Sequence, residues 1–97
     1  MDYTFEVHGM AFVADEEKSR ANLVNHGVSF ERAAEVFFDP FVRIEDAGPN
    51  DEERSAAIGY DVSTRLLYVV HIEIEDEAIR LISARRATTA ERERYDS

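Results

Sequence analysis

Between Arg54 and Ser83 the chain holds three strand-like stretches, Arg54 to Tyr60, Arg65 to Ile74 and Ala78 to Ser83. Only the short polar breaks Asp61-Val62-Ser63-Thr64 and Glu75-Asp76-Glu77 separate them, which is the rhythm of an antiparallel meander. The longest stretch, with Leu66, Leu67, Tyr68, Val69, Val70 and Ile72, is expected at the centre of the sheet. Phe41 to Glu45 alternates in the same way, and the polar turn Ala47-Gly48-Pro49-Asn50-Asp51 after it implies a hairpin.

Ahead of the meander the periodicity changes. Asp15 is placed to cap a helix over Asp15 to Asn25, with Glu16 and Glu17 at the positive end of its dipole and His26-Gly27 as its stop. Ser29 caps a second helix, across which Val28 and Ala33 can form a hydrophobic staple. Phe30, Ala33, Ala34 and Phe37 share one face of that helix, which should end before Asp39-Pro40. Tyr3 to His8 and Ala11 to Val13 allow one or two opening strands. Thr88-Thr89-Ala90-Glu91 has the form of a capping box, so a short charged helix should run to about Tyr95. The expected fold is α+β: two early helices packed on an antiparallel sheet of four or more strands, with a short terminal helix, in one domain over 1–97.

Composition narrows the chemistry. With no cysteine there is no disulfide framework, thiol nucleophile or thiolate metal cluster, and His8, His26 and His71 lack any close ligand spacing. No metal and no cofactor is expected. No apolar run reaches a membrane span and no targeting segment is evident, so the expected setting is cytoplasmic, away from membranes. The net charge of -10 repels nucleic acid overall, but Arg80, Arg85, Arg86, Arg92 and Arg94 make the final third locally basic.

Several separated blocks carry a resemblance, with Arg54 to Gly59 and the long apolar strand after it lying between the two that follow. Asp15 to Phe30, reading DEEKSRANLVNHGVSF, is followed by AAEVFFDP over Ala33 to Pro40. The closing block is Arg80 to Ala87, RLISARRA, with Glu91, Arg92 and Tyr95 after it. Together these resemble the opening and closing signatures of the BrnT family. The resemblance implies a RelE-like fold and a metal-independent endoribonuclease toxin of a type II toxin–antitoxin system, which inhibits translation by cutting RNA. It also implies neutralisation by a BrnA-type antitoxin, through which alone operator DNA would be bound.

Metal-free RNA cleavage needs a group to move protons and cations to stabilise the phosphorane. Arg85 is the first candidate for that cation, because guanidinium forks match phosphate oxygens. The competing structural role for Arg85 is an ion pair with Glu91 on the next helix. Arg54, at the start of a strand, can approach the same face, and His26, at a helix end, is the candidate for proton transfer. Lys18, Arg80 and Arg86 are the expected RNA contacts. His71 and Glu73 alternate on one strand and are read as neighbours on an exposed sheet surface.

A second function remains open: a toxin-fold binding module that complexes with the antitoxin but cleaves weakly or not at all. The net charge of -10 favours it, as does Asn25, which stands where members of the family commonly carry a lysine.

Overall fold

The computed structural model describes residues 1–48, 53–75 and 77–97. The chain opens with β1 (Asp2–Val7) and β2 (Met10–Asp15), then α1 (Glu16–His26) and α2 (Phe30–Ala34), which tightens into a 3₁₀ turn over Glu35–Phe38. There follow β3 (Arg43–Asp46), β4 (Ser55–Tyr60), β5 (Leu66–Ile74), β6 (Ala78–Arg86) and α3 (Thr89–Asp96). Among the described residues the six strands form one sheet in the order β1-β2-β6-β5-β4-β3. The meander β4-β5-β6 is antiparallel, with β5 and β6 at the centre, as the apolar run of β5 implies.

Several expectations need correction. The two helices are not the N-terminal elements; they follow a β1–β2 hairpin, formed by the opening strands allowed over Tyr3 to His8 and Ala11 to Val13, which belongs to the same sheet. Nor is the sheet wholly antiparallel, because β2 lies parallel to β6 through Phe12 beside Ile79 and Val13 beside Arg80. That pairing carries Phe12 and Ala14 into the core, where both are fully buried. The second helix keeps α geometry only to Ala34 before the tighter turn, a common way for a helix to end. β3 starts at Arg43 rather than Phe41, since the Phe41 N–H is turned back onto Asp39 Oδ1 at 2.9 Å. β6 runs on to Arg86, so Arg85 lies inside a strand, opposite Tyr68, and not beyond its end. His71 is buried at 1 % exposure and is no surface residue; its ring meets Phe37 edge-on at 4.8 Å. Of the turn expected over Ala47 to Asp51, residues 49–51 lie outside the described residues, as does Asp76 in the β5–β6 break.

The caps form as their chemistry requires. Asp15 accepts the Lys18 N–H at 3.0 Å, Ser29 accepts the Arg32 N–H at 3.1 Å, and Gly27 adopts a φ of 68° to close α1. Val28 and Ala33, the expected staple pair, are both fully buried. Phe30, Ala33, Ala34 and Val36 meet Phe12, Ala14, Ala57, Leu67, Val69, Leu81 and Ala84 in the core, with Phe37 packed against it.

Strand alternation then sorts the sheet into two faces. The core residues Ala57, Leu67, Val69 and Ala84 face α1 and α2. Ile58, Tyr68 and Arg85, one position away on each strand, point to the opposite face, which α3 covers in part through β4.

α1 is held to this sheet in an unusual way. Past Arg80, β2 no longer pairs with β6, which leaves Ala84 of β6 without a strand partner on that side. The Asn22 side chain fills the gap. Its Oδ1 accepts the Ala84 N–H at 3.0 Å, and its Nδ2 donates to the Ala84 carbonyl at 2.9 Å and to the Val28 carbonyl at 2.8 Å. One amide thus stands in for the next strand, and Asn22 is the one buried residue of α1.

Candidate functional site

On the face opposite the helical core, the registers of three strand pairs line up one row of side chains. Arg43 of β3 lies opposite Ile58 of β4, Ile58 opposite Tyr68 of β5, and Tyr68 opposite Arg85 of β6. Two guanidinium groups therefore end a row three strand spacings long, roughly 14 Å. Tyr68 sits between them, and the Arg85 guanidinium carbon lies 4.5 Å from the centre of its ring, a cation–π contact. Burial, with Glu45 and Glu91 adding to it, raises the Tyr68 pKa above its ordinary value, so its hydroxyl stays a proton donor at physiological pH.

α3 lies over this row. Thr88 and Glu91 form the capping box read from the sequence, with the Glu91 N–H on Thr88 Oγ1 at 3.2 Å and the Thr88 N–H on Glu91 Oε1 at 2.8 Å. Glu91 does a second thing. Both its oxygens accept from Arg85, Nη1 to Oε1 and Nη2 to Oε2, each at 2.8 Å. The pair is partly enclosed, with the Glu91 side chain 9 % exposed, and the Arg85 guanidinium holds the Glu91 carboxyl below its ordinary pKa against the opposing effect of burial. The far end of α3 is tied down by Arg94, whose guanidinium bonds Glu45 at 2.8 Å, and by the Tyr95 hydroxyl, which donates to Asp39 Oδ2 at 2.6 Å. Burial disfavours the Asp39 carboxylate, but hydrogen bonds from Tyr95 and from the Tyr60 and Phe41 N–H groups outweigh it and lower its pKa.

The other residues named from the sequence are dispersed. Arg54 comes just before β4 and by continued alternation belongs to the Arg85 face, four positions along from Ile58, or roughly 13 Å. Arg80 also lies on that face, opposite Ile72, with its fork on Asp2 at 2.7 and 3.2 Å. His26 closes α1 on the other layer. Near it, the Gly27 carbonyl accepts from Arg65 Nη1 at 3.0 Å, and exposed Arg86 lies opposite Leu67 at the same end of the sheet. Lys18 is in the exposed first turn of α1. Among the described residues, Lys18 and Arg86 enter no ion pair. The structure therefore brings Arg54, Arg80 and Arg85 to one face and leaves His26 and Lys18 on the helical layer. Sequence reasoning missed Arg43 and Tyr68, which only the strand registers place beside Arg85.

At the opposite end of the sheet, a cleft of about 430 Å³ is lined by Glu53, Ser55, Ile72, Glu73, Ile74 and Glu75. Its lining carries three glutamates, Glu53, Glu73 and Glu75, which make this end of the sheet locally acidic beside Arg54 and Arg80.

Residues 15–91 match the model of the family described as the ribonuclease toxin, BrnT, of type II toxin–antitoxin systems. The chain belongs to the BrnT family. The crystal structure of the Brucella abortus ribonuclease toxin BrnT has a similar fold, with a TM-score of 0.62 at 24% sequence identity, covering 78% of this chain and 94% of that one. A comparison with curated proteins finds none that matches. The matched span begins at Asp15, so β1 and all of β2 but its last residue precede it, while the Arg85–Glu91 pair falls inside it. Systems of this type pair the toxin with an antitoxin protein. Among the described residues no helix is long and apolar enough to cross a membrane.

Proposed function

We propose that this BrnT-family chain is a metal-independent endoribonuclease that inhibits translation by cutting RNA in the cytoplasm. Membership of a ribonuclease toxin family over most of the chain is the observation that carries this reading. Arg85 is the phosphate-stabilising residue. It stands on the sheet face that the helical core leaves open, with Tyr68 under its guanidinium and Arg43 at the other end of the row. When a 2′-hydroxyl gives up its proton and attacks its neighbouring phosphate, the bond to the 5′-oxygen breaks and that oxygen takes up a proton; a fixed guanidinium stabilises the charge built in between without a metal. Arg80 and Arg86 extend RNA contacts along the Arg85 strand and Lys18 adds one on the helical layer; of the other catalytic candidates, Arg54 shares the Arg85 face, whereas His26, across the sheet from Arg85, transfers a proton only to RNA that wraps the sheet edge. The partner is a BrnA-type antitoxin, which supplies the contact with operator DNA.

Removing a preorganised charge stabiliser costs about 100 to 1,000-fold in rate. Arg85→Ala should therefore lose RNA cleavage by that factor in the presence of a chelator, with the melting temperature recorded to show that the variant is folded. Equal cleavage by both proteins removes Arg85 from the site. A His26→Ala protein that cuts like wild type leaves the proton transfer to the Arg85 face.

One observation favours the second reading, a binding module of the same fold without activity. The forks of Arg80, Arg85 and Arg94 are each occupied by a carboxylate, from Asp2, Glu91 and Glu45. A folded wild-type chain that binds its antitoxin in size-exclusion chromatography but cuts no RNA, free or on ribosomes, establishes that reading.

A further inference from the structure

Resting on the assignment of Arg85 as the phosphate-binding residue, we infer that α3 is a charge lock on the site. Glu91 occupies the guanidinium fork that a phosphodiester would take, and RNA gains Arg85 only when Glu91 leaves.

The geometry sets the conflict. Arg85 gives Nη1 and Nη2 to the two Glu91 oxygens at 2.8 Å each, and Nη1 also reaches the Arg86 carbonyl at 3.2 Å. Tyr68 covers a face of the guanidinium. An end-on bidentate phosphate contact uses the same two nitrogens that the carboxylate holds, so the two anions compete for that fork. Glu91 is well matched to hold it, being 7 % exposed and fixed in place by the capping box at the first turn of α3.

The lock is also built to open. Glu91 is the one buried residue of α3. Beyond the Tyr60–Tyr95 ring contact at 5.4 Å, α3 is fastened by polar groups: Glu91 to Arg85, Arg92 to the Tyr60 hydroxyl at 3.0 Å, Arg94 to Glu45, and Tyr95 to Asp39. A helix of eight residues is too short to persist on its own intrinsic stability, so these contacts decide whether it stays. The guanidinium sides of the Arg85–Glu91 and Arg94–Glu45 pairs, 38 % and 42 % exposed, are open to solvent, so added salt and a competing polyanion weaken these ties as they would not an apolar seam. Binding of a phosphodiester at Arg85 and release of Glu91 are then two descriptions of one exchange.

Glu91→Gln tests this without dismantling the cap, because a capping box accepts glutamine in that position. The probe is a labelled single-stranded oligodeoxynucleotide, which lacks the 2′-hydroxyl and is not cut. Its anisotropy is followed across a salt series. With the lock weakened, E91Q should bind roughly tenfold more tightly than wild type, as expected for one recovered charge-assisted contact. Its log–log salt dependence should steepen by about 0.7, the increment for one more phosphate neutralised on a single strand. Glu6→Gln, an exposed position on β1, changes net charge equally and should do neither. Arg85→Ala added to E91Q should abolish the gain. Arg94→Gln loosens α3 at its far end, leaves Glu91 intact and should move affinity in the same direction. It carries the test if melting shows E91Q to be unfolded. Folded E91Q that binds no better than E6Q, or a gain that survives Arg85→Ala, overturns the lock. RNA cleavage is measured in parallel. Tighter binding by E91Q with no cleavage by any variant keeps the lock and rejects the ribonuclease reading. Wild-type cleavage with E91Q binding unchanged does the reverse.

Discussion

Asn22→Ala should damage this protein more than any exposed change in α1. The helix buries no other residue against the sheet, so its attachment depends on three hydrogen bonds from one amide: one received from the Ala84 N–H, and one donated to each of the Ala84 and Val28 carbonyls. Truncation removes all three and strands backbone groups at a site where Asn22 is 7 % exposed. An unsatisfied buried polar group costs about 1–3 kcal/mol. A loss of about 2–4 kcal/mol is expected, a large share of the roughly 5–15 kcal/mol typical of a domain. Urea unfolding followed by circular dichroism measures it, with an unchanged m-value showing that the midpoint shift is a stability change. Asn22→Asp is the sharper variant: it keeps an acceptor for Ala84 but loses both donated bonds and buries a charge, so it should be at least as harmful. If Asn22→Ala costs under about 0.5 kcal/mol, the range of an ordinary surface substitution, the idea that this amide replaces a strand is wrong.

Two further outcomes follow from the core. Burial lowers the His71 pKa below its ordinary 6.5, so between the folded and unfolded values only the unfolded chain takes up the proton. Stability should therefore fall as pH drops below about 6.5, by up to roughly 1.4 kcal/mol per pH unit, and a His71→Phe protein unfolded in urea at pH 7.5 and 5.5 should lose that part of the slope. Gly59→Ala would place a Cβ 2.9 Å from the Val36 carbonyl oxygen and 3.2 Å from the Val36 Cβ, in a backbone contact with no flexible side chain to yield. Thermal melting should show a cost of about 1–3 kcal/mol, and an unchanged melting temperature would mean that the 3₁₀ turn moves freely off β4.

What the sequence made legible was local chemistry. Asp15, Ser29, Gly27 and the Thr88–Glu91 box each work within a few residues of chain, and each forms where its residue type requires. The meander was legible for the same reason, since its breaks are too short for anything but turns. The parallel β2–β6 pair was not, because nothing near Phe12 announces a partner 67 positions away at Ile79. His71 was misplaced because alternation shows which residues share a face but not which face the helices cover. Arg43 and Tyr68 escaped notice on related grounds, since their nearness to Arg85 depends on three strand registers. The ion pair between Arg85 and Glu91 could be named in advance because a six-residue separation spans one strand end and one helix start.

The acidity of the chain takes on a definite meaning once the arginines are located. A net charge of -10 does not mean that cations are scarce on the open face; Arg43, Arg54, Arg80 and Arg85 all fall there by register. What is scarce is a cation whose charge is not already balanced at short range. Asp2 balances Arg80, Glu91 balances Arg85, and Glu45 takes both Arg43, at 3.3 Å, and Arg94. Asp2 is contributed by β1, which precedes the span matching the family, whereas Glu91 lies within it. The two balances therefore differ in kind. That at Arg80 depends on the hairpin at the start of this chain, and that at Arg85 on a helix held by polar contacts over the site itself. Exposed pairs such as Arg80–Asp2 are worth little individually, so they leave the stability of the fold largely to its core. A cationic face neutralised by its own carboxylates is compatible with a strongly acidic protein. On the proposed reading, such a face binds polyanion to the extent that those carboxylates can be displaced, so displacement rather than net charge sets how the chain would engage RNA.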